Sequence, residues 1–351
     1  MIVQKKHLLG SLKAAMPGVD SDKAVLQGAD TFVFHDGNIF TYNDFISVLV
    51  PINQIGIVSD IEGAVNGKDF FQIVNKMPSE EITFEPGDKA WTLKAGKSKV
   101  EMTLVEFDYK KRLEGITPDD SKWIKIDDDL ISGMNFCKIS QNKSTCSGVF
   151  FAGRQIIGTD GIQINRYSLN VKLPNFWLSE NCVDELLKIN GFTDMQVNGT
   201  WAHFRSVNGT IFSAKTLNIE KYPLDKILIV LDSVKLSEND IHGKFPRPLF
   251  NAIDRAISLS INLRGRQAVR LTLNKDGIDV SSERASGKYE ENVPWDEEMK
   301  DFETVQIYVD AGIIMNICSK ASEFYIIPGK KAPRLFFRTE KSVHIMSTFV
   351  N

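Results

Sequence analysis

An α+β fold built three times along the chain is what this sequence predicts, and three observations carry the prediction. A block of one short helix followed by three strand-like segments recurs at intervals of roughly 110–130 residues, too long for a solenoid and right for a domain. Runs such as VFHDGNIF and FYIIPG are rich in the β-branched and aromatic residues that sheets favour. The helical and extended stretches do not alternate as regular βαβ units, so the sheets are expected to be antiparallel, with two helices per repeat packed on one face.

The elements follow in order. Leu8, Leu9, Leu12, Ala15 and Met16 recur at three- and four-residue spacings, one face of a helix that Pro17-Gly18 ends. Residues 31–44 alternate apolar and polar on both sides of Asp36-Gly37, a strong hairpin signal. The closing block of the first copy is the helix GKDFFQIVNKMP and the strands EEITFEP, KAWTLKAG and SKVEMTLVEF. The second copy opens with a helix over 128–140 and a hairpin over 147–164 that turns near Gly153. It closes with LSENCVDELLKINGF, DMQVNG, WAHFRSVNG and TIFSAKTLNI. The third opens with a helix over 247–263, whose Leu249, Ala252, Ile253, Ala256 and Ile257 share a face, and a hairpin turning at Asp276-Gly277. It closes with VDAGIIMNICSKA, SEFYIIPG, APRLFFRTE and SVHIMSTFV. The acidic run 288–303 is expected on a solvated outer loop. Polar junctions at 115–123 and 234–246 place the cuts near 118 and 237, giving domains 1–118, 119–236 and 237–351.

Composition narrows the function classes. A chain of 351 residues suits two or three domains, and 42% hydrophobic with 25% charged residues is ordinary for a globular protein. No apolar run reaches the roughly 20 residues that span a bilayer. The N-terminus lacks a long apolar core and a cleavage site, so it is expected to be a helix of the mature protein in a cytoplasmic chain. The net charge of −3 does not advertise nucleic-acid binding, so any basic surface must be local. Cys137, Cys146, Cys182 and Cys318 form no CxxC pair, and the five histidines are scattered, so no metal site is expected. Asp119-Asp120 and Asp127-Asp128-Asp129 read as turn and N-cap residues rather than a Mg²⁺ site. There is no phosphate loop, nucleophile elbow or HExxH, so neither an enzyme nor a cofactor is expected.

Several segments, taken in order, resemble a known family. IIGTDGIQINRY (156–167) is similar to a strand ending in Thr-Asp-Gly, and FSAKTLNIEKYP (212–223) to the segment closing a middle domain. PLFNAIDRAISLS with DVSSERASGKYEENVP, and VQIYVDAGIIMNIC with the terminal IMSTFVN, resemble the opening and closing parts of a last domain. Together they identify the chain as a divergent, phage- or prophage-like member of the bacterial sliding clamps, the β subunit of DNA polymerase III. The match is weak in the first 110 residues and best after 145. It departs at Ile162-Gln163-Ile164, where the family has His-Arg-Leu, and at Met346-Ser347-Thr348-Phe349-Val350, where the family ends Met-Pro-Met-Arg-Leu.

The resemblance implies a head-to-tail homodimer closed into a ring around duplex DNA, with sheets outside and helices inside. It implies a clamp that tethers a polymerase. Contacts to DNA would be dispersed and electrostatic, because phosphate contacts position a protein without reading sequence. The candidates are Lys5, Lys6, Lys13, Lys23, Lys68, Lys76, Lys138, Lys143, Lys188, Arg247, Arg255, Arg264 and Arg266, with Lys320 beside the last helix. A groove for linear peptides of a polymerase and a clamp loader is implied at Thr159, Gly161, Ile162, Gln163, Ile164, Val230, Met346, Thr348 and Val350. The rival is a phage structural or assembly protein that uses the same domains without encircling DNA.

Overall fold

The computed structural model describes residues 1–20, 26–52, 61–139, 146–237, 240–263, 265–321, 323–327 and 332–349. The first copy of the repeat is β1 (Ile2–Gln4), α1 (Lys5–Ala15), β2 (Thr31–His35), β3 (Asn38–Tyr42), β4 (Ile46–Pro51), β5 (Gly63–Asn66), α2 (Gly67–Lys76), β6 (Glu81–Glu85), β7 (Ala90–Ala95) and β8 (Ser98–Thr103). A connector helix, α3 (Tyr109–Ile116), leads to the second copy. This consists of β9 (Ile124–Lys125), α4 (Asp128–Cys137), β10 (Val149–Ala152), β11 (Gln155–Thr159), β12 (Gln163–Ser168), β13 (Phe176–Leu178), α5 (Glu180–Leu186), β14 (Phe192–Asn198), β15 (Trp201–Ser206) and β16 (Ile211–Lys215). After α6 (Leu224–Asp232) the third copy is β17 (Ile241–Lys244), α7 (Pro248–Ile257), β18 (Ile261–Leu263), β19 (Arg266–Asn274), β20 (Gly277–Arg284), β21 (Gly287–Pro294), β22 (Val305–Asp310), α8 (Ala311–Cys318), β23 (Glu323–Ile327), β24 (Arg334–Arg338) and β25 (Ser342–Ser347).

Among the described residues, strand, helix, four strands, helix, three strands therefore occurs three times, with β18 as an addition in the third copy. The pairing repeats as well. The strand that opens each copy lies antiparallel to the first strand after its second helix: β1 on β6, β9 on β14, β17 on β23.

The chain forms two compact units. The first holds residues 1–135, 148–154 and 170–219. It contains the sheet β1-β6-β7-β8 and the eight-stranded sheet β5-β2-β3-β4-β16-β15-β14-β9. The first and second copies join there through β4 and β16, from Ile211↔Leu49 to Ala214↔Ile46. Beneath α2, whose Phe70 and Val74 are buried, Phe34, Phe70, Phe84 and Trp91 pack edge-to-face or tilted, Phe34 and Trp91 with centroids 5.0 Å apart.

The second unit holds residues 136–147, 155–169 and 220–351. Its strands run β11-β12-β25-β24-β23-β17, with β12 and β25 in register from Gln163↔Met346 to Tyr167↔Ser342. A further sheet, β18-β19-β20-β21, carries β22 on β19. Leu249, Ile253 and Ala256 of α7 and Ile314 and Ile317 of α8 are buried, and Phe245 stacks on Phe324 at 4.0 Å.

The α+β class and antiparallel sheets agree with the sequence. At the first hairpin Asp36 and Gly37 have φ of 47° and 68°, the two left-handed residues of a type I′ turn. Four details differ. The helix predicted over 247–263 stops at Ile257, and 261–263 pairs with β19. The third hairpin turns at Lys275-Asp276, because Asn274 pairs with Gly277 and its Oδ1 accepts from the N–H groups of Asp276 and Gly277. The expected solvated loop at 288–303 begins as β21, paired with β20 along its whole length. Helices α3 and α6 were not foreseen. Among the described residues, no helix is long and apolar enough to cross a membrane. All four cysteines are free thiols, and only Cys146 is not buried.

Candidate nucleic-acid interface and peptide corner

The basic candidates divide by what their charges already meet. On α1, Leu8, Ser11, Leu12 and Ala15 turn inward, which leaves Lys6 and Lys13 exposed seven residues apart on the opposite side. Lys5 is instead half-buried, its Nζ donating to the Met77 carbonyl at 2.6 Å, where α2 ends. Lys68 and Lys76 lie exposed at the two ends of α2, whose N-terminus is capped by the Asn66 side chain accepting from the Asp69 N–H at 3.0 Å. Lys188 follows α5 and pairs with Glu185 at 2.6 Å. One open cleft of about 790 Å³ in the first unit brings Lys13 and Lys188 together, with Asn43, Asn181 and Asn190 also on its lining.

In the second unit Lys138 follows α4, half-buried and engaged by its surroundings. Lys320 follows α8, its Nζ 5.8 Å from the centre of the Phe136 ring. Burial, with the Lys138 charge nearby, pulls the Lys320 ammonium below its ordinary pKa. Arg247 is exposed at the N-cap of α7.

Two arginines are committed elsewhere. Arg255 forks onto the Glu291 carboxylate of β21, with Nη2 2.7 Å from both oxygens, and its Nε also reaches the Tyr289 hydroxyl at 3.1 Å. Arg266 is the clearest departure from the sequence reading. Its side chain is 11% exposed and its guanidinium is held between two carboxylates, Nη2 2.9 Å from Asp160 and Nη1 3.2 Å from Asp310, so its charge is already met within the fold. Lys23, Lys143 and Arg264 lie outside the described residues.

The Thr-Asp-Gly segment forms the corner between β11 and β12. Asp160 Oδ1 accepts from the N–H groups of Ile162 and Gln163, both at 2.9 Å, and Oδ2 accepts from Gln163 Nε2 at 3.1 Å. Burial raises the Asp160 pKa, but these donors and Arg266 more than offset it, leaving the carboxyl below its usual range. Thr159 Oγ1 donates to the Gln163 carbonyl at 2.7 Å, and Gly161 takes the left-handed position with φ 87°. The last strand is fastened to this corner by the Ser347 N–H, which donates to the Ile162 carbonyl at 2.9 Å. Asp310, the second partner of Arg266, caps α8 through the Ile313 N–H at 2.9 Å.

This places the groove candidates. Gly161, Ile162, Gln163 and Met346 do come together, through β12 and β25. The side chains of Thr159, Gln163, Met346 and Thr348 are nevertheless buried: they build the corner and its core, and Met346 is a sheet-core residue with none of its surface open. Ile162, Ile164 and, on α6, Val230 remain partly exposed, and Ile229 beside Val230 is 69% exposed. Val350 lies outside the described residues. Arg266 and Asp310 were missed as members of this site. Asp160 stands within the Thr-Asp-Gly motif, but nothing in the sequence links it to an arginine 106 positions away.

Comparison with known proteins gives a uniform result. No protein-family model and no curated protein sequence matches the chain. Among solved structures, the DNA polymerase sliding clamp of Bacillus subtilis matches with a TM-score of 0.79 at 19% identity, covering 100% of this chain and 98% of that one. The DNA polymerase III beta chain of Streptococcus pneumoniae matches at 0.81 and 15% identity, over 100% of this chain and 99% of that one. The Helicobacter pylori beta clamp, bound in its structure to a DNA ligase peptide, matches at 0.78 and 18% identity over 100% of both chains. From end to end, the chain has the fold of the bacterial DNA sliding clamps.

Proposed function

We propose that this protein is a non-enzymatic DNA sliding clamp, a processivity factor of the cytoplasm that encircles duplex DNA as a closed homodimer and tethers a polymerase. The observation that carries the reading is the likeness to sliding clamps over the whole length of both chains, with three copies of one helix-and-sheet unit in order. We take the copies as domains 1–118, 119–236 and 237–351. DNA would meet Lys6, Lys13, Lys68, Lys76, Lys188, Arg247 and, at closer quarters, Lys138 and Lys320. A total charge of −3 with cations gathered on helices suits a ring that slides on phosphates and is repelled elsewhere.

Closure of the ring needs two complementary edges. Among the described residues, β8 and β21 are each the last strand of a sheet, with no strand on one side. β8 and the turn before it carry Lys97 and Lys99 with Glu101, and β21 carries Lys288 with Glu290 and Glu291, of which Glu291 is already held by Arg255, so main-chain pairing rather than charge would drive the contact. Edge-to-edge pairing of one protomer's β8 with its partner's β21 would satisfy both and repeat at the second seam, which is what a closed two-fold ring requires. The corner at 159–164, with the exposed apolar side chains of α6, is the place for a short apolar peptide from a polymerase or loader. Sedimentation velocity tests the assembly: the reading expects a species of twice the 39.5 kDa chain mass at micromolar concentration, and a monomer would refute it.

A further inference from the structure

The second repeat shows how this fold treats an aromatic ring and a carboxylate at the end of its sheet. There the Arg205 guanidinium lies 4.3 Å from the centre of the Trp123 ring, and the buried Asp194 carboxylate accepts from Lys125 at 2.9 Å with Arg205 3.4 Å away. Ring, carboxylate and cation are all supplied by the chain itself.

The corresponding end of the third repeat has the ring and the carboxylates without the arginine. It is β17, paired with β23 on one side through His242↔Tyr325, Gly243↔Phe324 and Lys244↔Glu323, and with no strand on the other among the described residues. Against it lies a cleft of about 410 Å³ formed with residues 295–300. Its aromatic wall is fixed: Trp295 stacks on Phe324 at 6.0 Å and donates its Nε1–H to the Asn274 carbonyl at 2.8 Å, while His242 stacks on Tyr325 at 5.6 Å. Gly243 leaves room on β17 for the end of the Met299 side chain, since a Cβ there would meet its Sδ and Cε at 2.8 Å. Asp296, Glu297, Glu298 and Glu323 line the cleft against two lysines, Lys244 and Lys300, so negative charge is in excess. Among the described residues, no lysine or arginine stands over the Trp295 or Tyr325 ring.

We propose that this cleft is a docking site for an arginine-bearing extended segment of a partner protein, which adds to the open side of β17 as a further strand. The free edge offers main-chain hydrogen bonds along the strand, and the cleft selects the side chain. A planar, weakly hydrated guanidinium satisfies a π face and a carboxylate together, as Arg205 does on Trp123 and Asp194, better than a compact ammonium. Neither ring closure nor DNA is required, so the inference stands apart from the clamp reading.

The test uses the full-length protein and a fluorescein-labelled octapeptide of alternating arginine and valine, with a glutamate–valine octapeptide as comparison. Saturable binding of the arginine peptide alone is expected at physiological salt. Glu297→Lys with Glu298→Lys should weaken it about tenfold or more, the loss of a charge-assisted π contact and its carboxylates. Glu106→Lys with Glu114→Lys, the same charge change at exposed positions of the other unit, should leave it intact. Hydrogen exchange should show new protection over 241–244 on binding. Equal loss in both double variants, binding without protection of β17, or protection of β17 that rises with protein concentration in the absence of peptide would each overturn the proposal. The last outcome would make the occupant a second copy of this chain.

Discussion

At the corner between β11 and β12 a single side chain, Asp160, holds the local backbone and one end of a buried charge chain. Arg266 bridges it to Asp310, so three ionised groups with little surface exposed stabilise one another. Replacing Arg266 with methionine would strand two buried carboxylates. We expect a loss of about 3–5 kcal/mol in chemical denaturation, whereas a surface arginine would change stability by less than about 1 kcal/mol. Because the Asp160 pKa is lowered in the fold, its contribution is complete above the unfolded value of about 4 and is lost as pH falls further. Two histidines act earlier in an acid titration. Burial pushes His344 down to about 3 and His203 down to about 4. Both are neutral in the fold, with Nδ1 hydrogen-bonded to Asn165 Oδ1 and Ser213 Oγ respectively. Below about pH 6.5 the unfolded chain takes up protons that the fold refuses, so stability should fall by roughly 2 kcal/mol per histidine by pH 5. Urea midpoints measured from pH 7 to pH 5 check this, and His203→Gln should remove its share of the slope. At this scale the sequence was least legible. Arg266 read as a surface cation because its partners stand 106 and 44 positions away, and burial is a property of the assembled sheet.

Elements were legible where a local rule decided them. Asp36-Gly37 demanded two left-handed residues, and the turn supplies both. Gly37→Ala should therefore cost about 1 kcal/mol in thermal unfolding, and an unchanged melting temperature would contradict the I′ assignment. The third hairpin carries the same Asp-Gly pair, yet Asn274 Oδ1 accepts from the N–H groups of Asp276 and Gly277 and the turn moves back by one residue. A side chain outside the motif thus overrode it. The sequence pattern of α7 overruns the helix because apolar residues continue through Leu259, Ile261 and Leu263. Their spacing has changed from helical to alternate there, and Ser258 and Ser260 are poor helix formers, so a strand begins. Helix α3 gave no signal because none of its residues is buried: Tyr109, Leu113 and Ile116 lean, partly exposed, on the core that holds Val33, Phe40 and Tyr42. The acidic run at 288–294 looked like a loop because its outward glutamates mask the alternation of a strand at a sheet edge.

At the scale of the whole molecule, the threefold order of elements was readable because each copy keeps its own helix-and-strand punctuation while side chains diverge. Identities of 15–19% to solved clamps show how far sequence can drift beneath such an order. The proposed partner surfaces were less readable, since the edges at β8, β17 and β21 are defined by the absence, among the described residues, of a strand to cover them. The central claim, that this order serves a ring around DNA, is topological and has a topological measurement. The protein is mixed with circular plasmid, closed by chemical cross-linking, washed at high salt, and compared before and after the plasmid is cut once with a restriction enzyme. The account predicts a salt-resistant dimer on the circle that slides off once the DNA is linear. Cross-linked protein that washes off the circle, or stays equally on circular and linear DNA, would contradict it.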